Sequence, residues 1–250
     1  MHKLKRSFTA ICLLATLITL PELISGNDKN EMELETSAAA LTTLNNSSEM
    51  ALEAEAESLY DALALEGDIS VKTLVYALKG FKQLQAKGML ENTELISIAD
   101  FSQSSKKKRL YIIDVHEKKL LLNTYVAHGR NSGGEYATSF SNKVDSHKSS
   151  LGFYVTSHTY QGSHGLSLRV QGVEKGINDR AMERAIVVHG ANYLGDNFLK
   201  RSPFSGRSWG CPAVPQAETS KVINMIKGGS CLFIYHPDEK YLNNSEILNT

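Results

Sequence analysis

Ala185-Ile186-Val187-Val188-His189-Gly190 and, one short loop later, Gly206-Arg207-Ser208-Trp209-Gly210-Cys211-Pro212 decide how this chain is read. The first stretch is an apolar run ending in a histidine, the pattern of a buried strand that delivers a polar side chain at its end. The second is polar, contains glycine and ends in proline. Pro212 and Pro215 bar a central strand there. Cys211 is one of three cysteines in the chain. A thiol attacks carbonyls once a base takes its proton, so a cysteine and a histidine on neighbouring segments form a candidate nucleophile and base. Glycine beside Cys211 leaves the backbone open to an approaching carbonyl, and the Gly210 and Cys211 amides are candidate oxyanion donors. Ser208 reads as a hydrogen-bonding support and Gly190 as a support behind His189.

Working outward, residues 110–115 and 120–127 carry β texture and are joined by the hairpin-like His116-Glu117-Lys118-Lys119. Residues 151–156, 166–170, 185–188 and 231–235 are further expected strands. A short helix is expected over 178–184, and a longer one over 216–227, after Pro215 and before Gly228-Gly229. Upstream, 48–65 reads as helical. Val71, Leu74, Val75, Leu78, Phe81 and Leu84 recur at helical spacing, with Ser70 as cap and Gly88 as stop. The fold class is therefore mostly β with accessory helices. The expected organisation is a signal peptide or uncleaved anchor over 1–26, an acidic flexible spacer over 27–47, a helical accessory region over 48–100, a catalytic domain over 101–240 and a tail over 241–250.

The pair His189-Gly190 and Ser208-Trp209-Gly210-Cys211 resembles the active-site signature of the L,D-transpeptidases of bacterial cell walls, the YkuD-like superfamily. More closely, the chain resembles the murein L,D-transpeptidase catalytic domain branch. His128-Gly129-Arg130-Asn131-Ser132-Gly133-Gly134, Ser149-Ser150-Leu151-Gly152-Phe153-Tyr154 and Gly165-Leu166-Ser167-Leu168 resemble that branch too, so the likeness covers roughly 110–235. It implies a β-sandwich-like catalytic domain. It also implies Cys211 as nucleophile, His189 as base and peptidoglycan stem peptides as substrate, with a second stem or an envelope protein as acyl acceptor and no cofactor. Two positions depart from the broad family. Its usual histidine before Gly-Cys is Trp209 here, and its apolar-then-Arg/Asn pair after the cysteine is Pro212-Ala213. Arg207 is the arginine best placed in sequence for a stem-peptide carboxylate, ahead of Arg169, Arg180 and Arg184. Trp209 and His128 are the other substrate-contact candidates.

Other readings stand beside these. Cleavage of the leader would leave Cys211 and Cys231, a pair that could form a disulfide in an oxidising compartment. Eight histidines invite a metal, yet no His-x-x-x-His pair occurs. The run Lys106-Lys107-Lys108-Arg109 lacks interleaved aromatics, which argues against nucleic acid. Zero net charge hides an asymmetry: residues 27–66 hold ten acidic and one basic side chain, and the chain from Gly67 holds sixteen and twenty-three. A mildly cationic C-terminal part suits an anionic polymer or a solvated surface equally. Lys3, Lys5 and Arg6 precede an apolar run over 8–20 that Pro21 ends. That run is too short to span a bilayer and has the form of a secretory signal, which implies export to the periplasm or cell envelope. A binding module that keeps the cleft without turnover is the competing class.

Overall fold

The computed structural model describes residues 26–63 and 69–250. The chain divides into two units, residues 1–47 and 48–250. Helix α1 (Gly26–Leu63) begins in the first and ends in the second. The stretch expected to be a flexible spacer is therefore helical from Gly26, where the alanine-rich run at 38–40 favours helix. The targeting segment, apart from Gly26, lies outside the described residues, as do 64 and 65 of the expected first helix. None of the described helices is long and apolar enough to cross a membrane.

In the second unit, Ala56, Leu59 and Leu63 of α1 join the core. Helix α2 (Val71–Ala86) is capped as its sequence predicts. The Ser70 side chain accepts from the Thr73 amide at 3.1 Å, and Gly88 takes a φ of +65° past its end. Leu74, Leu78, Phe81 and Leu84 line the buried face.

The strands are β1 (Leu95–Asp100), β2 (Leu110–Asp114), β3 (Lys119–Thr124), β4 (Gly152–Gly162), β5 (Gly165–Gly172), β6 (Val187–Ala191), β7 (Ala213–Pro215) and β8 (Cys231–Tyr235). They form one mixed sheet in the order β3-β2-β1-β8-β4-β5-β6-β7. The β1–β8 and β6–β7 pairs are parallel and the others antiparallel. The mostly β class is thus observed, with the expected sandwich taking the form of this single sheet. The remaining helices are α3 (Asp196–Leu199), α4 (Thr219–Ile226), α5 (Glu239–Asn244) and α6 (Glu246–Asn249).

Three expectations need correction. The accessory region was bounded at 100, but β1 lies inside it, buried at every position beside β8. A strand hidden on both faces lacks the alternation that reveals strands in sequence. Residues 178–184 form turns, held by Asn178, whose side chain donates to Leu151 O and Phe153 O and accepts from the Glu174 amide. A side chain engaged this way competes with helix formation. The tail is also ordered: Lys79 and Gln83 of α2 donate to the Leu248 and Ile247 carbonyls at 2.8 and 2.9 Å. Ser245 and Tyr241 bond buried Glu174, whose carboxyl burial pushes above its ordinary pKa.

Helix α2 reaches the sheet because Gly80 has no side chain. A Cβ there would lie 2.0 Å from the Phe153 ring, which stacks on Phe233 of β8 with centroids 4.1 Å apart. Gly80→Ala raises helix propensity by roughly 1 kcal/mol, yet overpacking costs about 1–3 kcal/mol. With the clash on a ring between strands, the substitution is expected to lower the thermal midpoint. A midpoint unchanged or raised in a melting experiment would show that α2 does not rest on Phe153.

Candidate active site

His189 lies on β6 in parallel register with Ala213 of β7, two residues beyond Cys211. The sheet therefore brings the two segments together, and proline confines β7 to the edge. His189 is buried, and its Nδ1 lies 2.9 Å from the Gly190 carbonyl. A carbonyl only accepts, so Nδ1 carries the proton and Nε2 is left as the basic nitrogen. Burial, then the charge of His164, press the His189 pKa below its ordinary value of 6.5, against the Gly190 bond. The other face of the site is a ring contact: His164 stacks on His189 at 4.4 Å and 21°. Gly190 is small for a packing reason, since a Cβ there would meet Thr219 Oγ1 at 2.2 Å.

Cys211 is half-buried and its thiol faces the Ala185 carbonyl at 3.8 Å. Ala185 adopts φ +52°, a left-handed conformation costly for alanine. Burial pushes the thiol pKa up, opposed by a backbone bond at Val187 and by the charge of Arg184. The resting pair is therefore a neutral thiol and a neutral imidazole. Cys211 and Cys231 are both free, and Cys231 is fully buried in β8, so the disulfide reading is set aside.

Ser208 is the hub of the loop. Its amide donates to His128 O at 3.0 Å and its carbonyl accepts from the Arg130 amide at 2.7 Å. Its hydroxyl donates to Cys211 O at 2.6 Å and accepts from the Gly210 amide at 3.0 Å. Ser208 thus holds both sides of the loop through its backbone and its hydroxyl. The Gly210 amide, however, is engaged and is not an oxyanion donor. The Cys211 amide has no hydrogen-bond partner among the described residues and stays available. The reason for glycine at 210 also differs from the expected one. Its φ is +118°, and a Cβ would meet Lys148 O at 2.8 Å and Arg184 Nη2 at 3.1 Å. The space it leaves faces the protein wall rather than a substrate.

Two substrate-contact expectations are corrected. His128 is fully buried, accepts at Nδ1 from the Arg109 guanidinium at 2.7 Å, and has its pKa pressed down to about 4, first by burial and then by that guanidinium. It supports Ser208 from below and touches no cleft. Arg207 donates to the Gly133 and Arg130 carbonyls at 2.9 and 3.3 Å, which ties its guanidinium to that loop. Trp209 is 68% exposed and rests one face on His147 at 5.0 Å. Two residues of the site, Tyr193 and His164, have no role in the sequence reading, and a third, Arg184, ranks there behind Arg207. Arg184 is the arginine beside Cys211, holding Ser141 O, Ser150 Oγ and Lys148 O. Tyr193 feels the charge of Cys211, and burial with that charge pushes its hydroxyl up to about 12. His164 lies far from His189 in sequence. None of the three sits in the quoted motifs, so their places beside Cys211 and His189 come from the fold. No group of three or more metal-ligating side chains occurs among the described residues.

The chain matches the L,D-transpeptidase catalytic domain over residues 65–235. That is more than half its length, and the chain belongs to this family. Among solved structures, it is similar to an L,D-transpeptidase from Mycobacterium smegmatis at 12% identity and TM-score 0.35, covering 57% of this chain and 59% of that one. An L,D-transpeptidase from Mycobacterium tuberculosis gives 13% identity and TM-score 0.34, with 57% and 58% covered. The helical cell shape determining protein Pgp2 from Campylobacter jejuni gives 13% and 0.38, with 64% and 56% covered. The chain thus spans less than two thirds of each of these proteins. No curated protein gave a significant match.

Arg184 has two tasks, holding the 141–150 segment and easing ionisation of Cys211. Arg184→Lys keeps the charge and loses the fork geometry. It should lower turnover by about 10²-fold, the scale of a misplaced catalytic group, with little change in thermal midpoint. Turnover within about twofold of wild type would show that the segment holds its place without the fork.

Proposed function

We propose that this protein is a cysteine-dependent acyltransferase of the bacterial envelope, an L,D-transpeptidase acting on peptidoglycan stem peptides. The observation that carries the reading is the His189 tautomer: the Gly190 bond leaves Nε2 basic on the strand beside the Cys211 segment. Membership of the family supports the same reading.

In the first half-reaction Cys211 Sγ attacks the carbonyl carbon of the L-centred third residue of a donor stem, and His189 Nε2 takes the thiol proton. The Cys211 amide is the donor available to the oxyanion. Losing one such donor typically costs about 10²–10³ in rate. The C–N bond to the terminal D-residue then breaks, and His189 returns the proton to the departing amine. A thioester remains. An amine from a second stem, or from an envelope protein, attacks it while His189 accepts the amine proton. The C–S bond breaks, the thiol is restored and an amide cross-link is formed. No cofactor enters. Trp209 flanks the acyl chain. Export rests on the signal-like 1–26 segment.

Incubating the protein with a disaccharide-tetrapeptide, and following intact mass and products, tests this. Wild type should form an acyl adduct or cross-linked dimers, and Cys211→Ala should form neither. Loss of the terminal D-residue without cross-links would make the protein an L,D-carboxypeptidase. Bound ligand with no turnover would make it a binding module and overturn the reading.

His189 works as a neutral base, and its pKa is depressed. Activity should therefore persist as pH falls to 6.5 and be lost below it, as Nε2 protonates. A pH–rate profile whose acid limb has its midpoint above about 6.5 would contradict His189 as the base.

A further inference from the structure

Strands β4 and β5 run far beyond the register they share with the rest of the sheet and close at Gly162-Ser163-His164-Gly165. Gly165 takes φ +80°, which turns the chain back. Ser167, three residues past His164, is paired with His189 across β5 and β6. This hairpin tip therefore folds over the end of β6, and the exposed His164 ring covers one face of the buried His189 ring. An exposed histidine has solvent as an alternative and gains no core burial here. Its parallel stacking on the base, at 4.4 Å and 21°, is the contact that needs an explanation.

We propose that His164 is a positioning residue for His189, resting on the reading of His189 as the catalytic base. The Gly190 carbonyl fixes Nδ1, which sets one end of the imidazole but leaves the ring free to rock about that bond. A second flat ring against its face removes that freedom and keeps Nε2 in one plane. Proton transfer depends on such alignment, and small misplacements of catalytic groups cost large factors in rate. The stack also responds to charge. As Nε2 takes the thiol proton, a neutral His164 offers its π face to the new imidazolium, an attractive arrangement. A protonated His164 repels it.

The surroundings leave this task to His164. Ser167 on β5 and Ala213 on β7 pair with His189, and Gln216 and Thr219 pack behind Gly190; none of these is charged. Cys211 precedes Ala213 by two residues and carries a protonated thiol. Arg169, on β5, has its guanidinium over the Tyr160 ring at 4.7 Å. Among the described residues His164 is the titratable side chain whose interaction with His189 is seen.

The test uses the full chain with His164→Ala and His164→Phe. Phenylalanine keeps a stacking ring and removes the charge; alanine removes both. In the free protein, the His189 ring resonance is followed by NMR from pH 4 to 9, together with the thermal midpoint. The His189 titration should move to higher pH in His164→Ala, where the ring face is opened to solvent and the burial that lowers it is relieved, and by less in His164→Phe, while the midpoint of melting stays put. With the disaccharide-tetrapeptide, His164→Ala should lose about tenfold or more in kcat with KM within about twofold. His164→Phe should recover most of that loss. An unchanged His189 titration in both variants would overturn the proposal, as would full kcat in His164→Ala. Because the NMR measurement needs no substrate, it decides the stacking role even if the acyltransferase reading fails.

Discussion

Strand β8 is the constraint on which the rest of the structure depends. It is the last strand in the sequence, yet it lies between β1 and β4 and joins the two halves of the sheet. All five of its residues are buried, and it is paired on both sides, parallel to β1 and antiparallel to β4. Without it, β3-β2-β1 and β4-β5-β6-β7 are separate sheets, each with an open edge of unpaired amides and carbonyls. Phe233 carries this junction, stacking on Phe153 and, through it, meeting the notch of Gly80 on α2. The sheet is complete only when nearly the whole chain is present, which makes the fold rich in non-local pairings and slow to assemble by the usual dependence on topology.

The site inherits its order from that junction. His189 and Cys211 are held on the half of the sheet that ends at the short edge strand β7. The loop before β7 has almost no regular structure and is shaped by hydroxyls instead. Ser208 bridges Gly210 and Cys211, Ser149 accepts from the Gly129 amide, and Ser132 accepts from the Ser149 amide. Beneath them Arg109 is fully buried. Its guanidinium donates to Val126 O and His128 Nδ1 and lies over Phe101, and burial presses its pKa down to about 9. Removing any one of these groups would strand a buried donor or acceptor, at about 1–3 kcal/mol.

Legibility in sequence followed the physics of each element. β8 is legible at its observed bounds because a short β-rich run that follows Gly228-Gly229 has few other readings. α2 was read through its cap, its period and its stop because helix signals are local. β1 was missed because a strand buried on both faces carries no alternation, and β7 because three residues ended by a proline look like loop. At the site, Ser208 and Cys211 are legible from one short motif and His189 from the end of the apolar run before it. The roles of His128, Arg207 and Gly210 were misjudged because each depends on what lies on the far side of the backbone. His128 and Arg207 face the loop they support, and Gly210 faces Lys148. Arg184, Tyr193 and His164 reach the cysteine and histidine only through the sheet's pairing, which no spacing along the chain encodes.

The electrostatics give the site a definite resting state. Burial raises the Cys211 thiol and lowers His189, so the pair stays uncharged at neutral pH. A thiolate–imidazolium pair would be more reactive in isolation, but it would hold two charges in a half-buried cleft, where desolvation is costly. Keeping both neutral shifts the cost to the moment of attack. In the proposed reaction the proton moves to Nε2 as the sulfur bonds to carbon, and negative charge passes to the carbonyl oxygen, near the free Cys211 amide. Arg184 favours the anionic side of that step by lowering the thiol pKa, while the imidazolium forms against the ring of His164. Under the proposed mechanism the site places its stabilising groups where charge develops, which is the arrangement that lowers a barrier rather than a ground state.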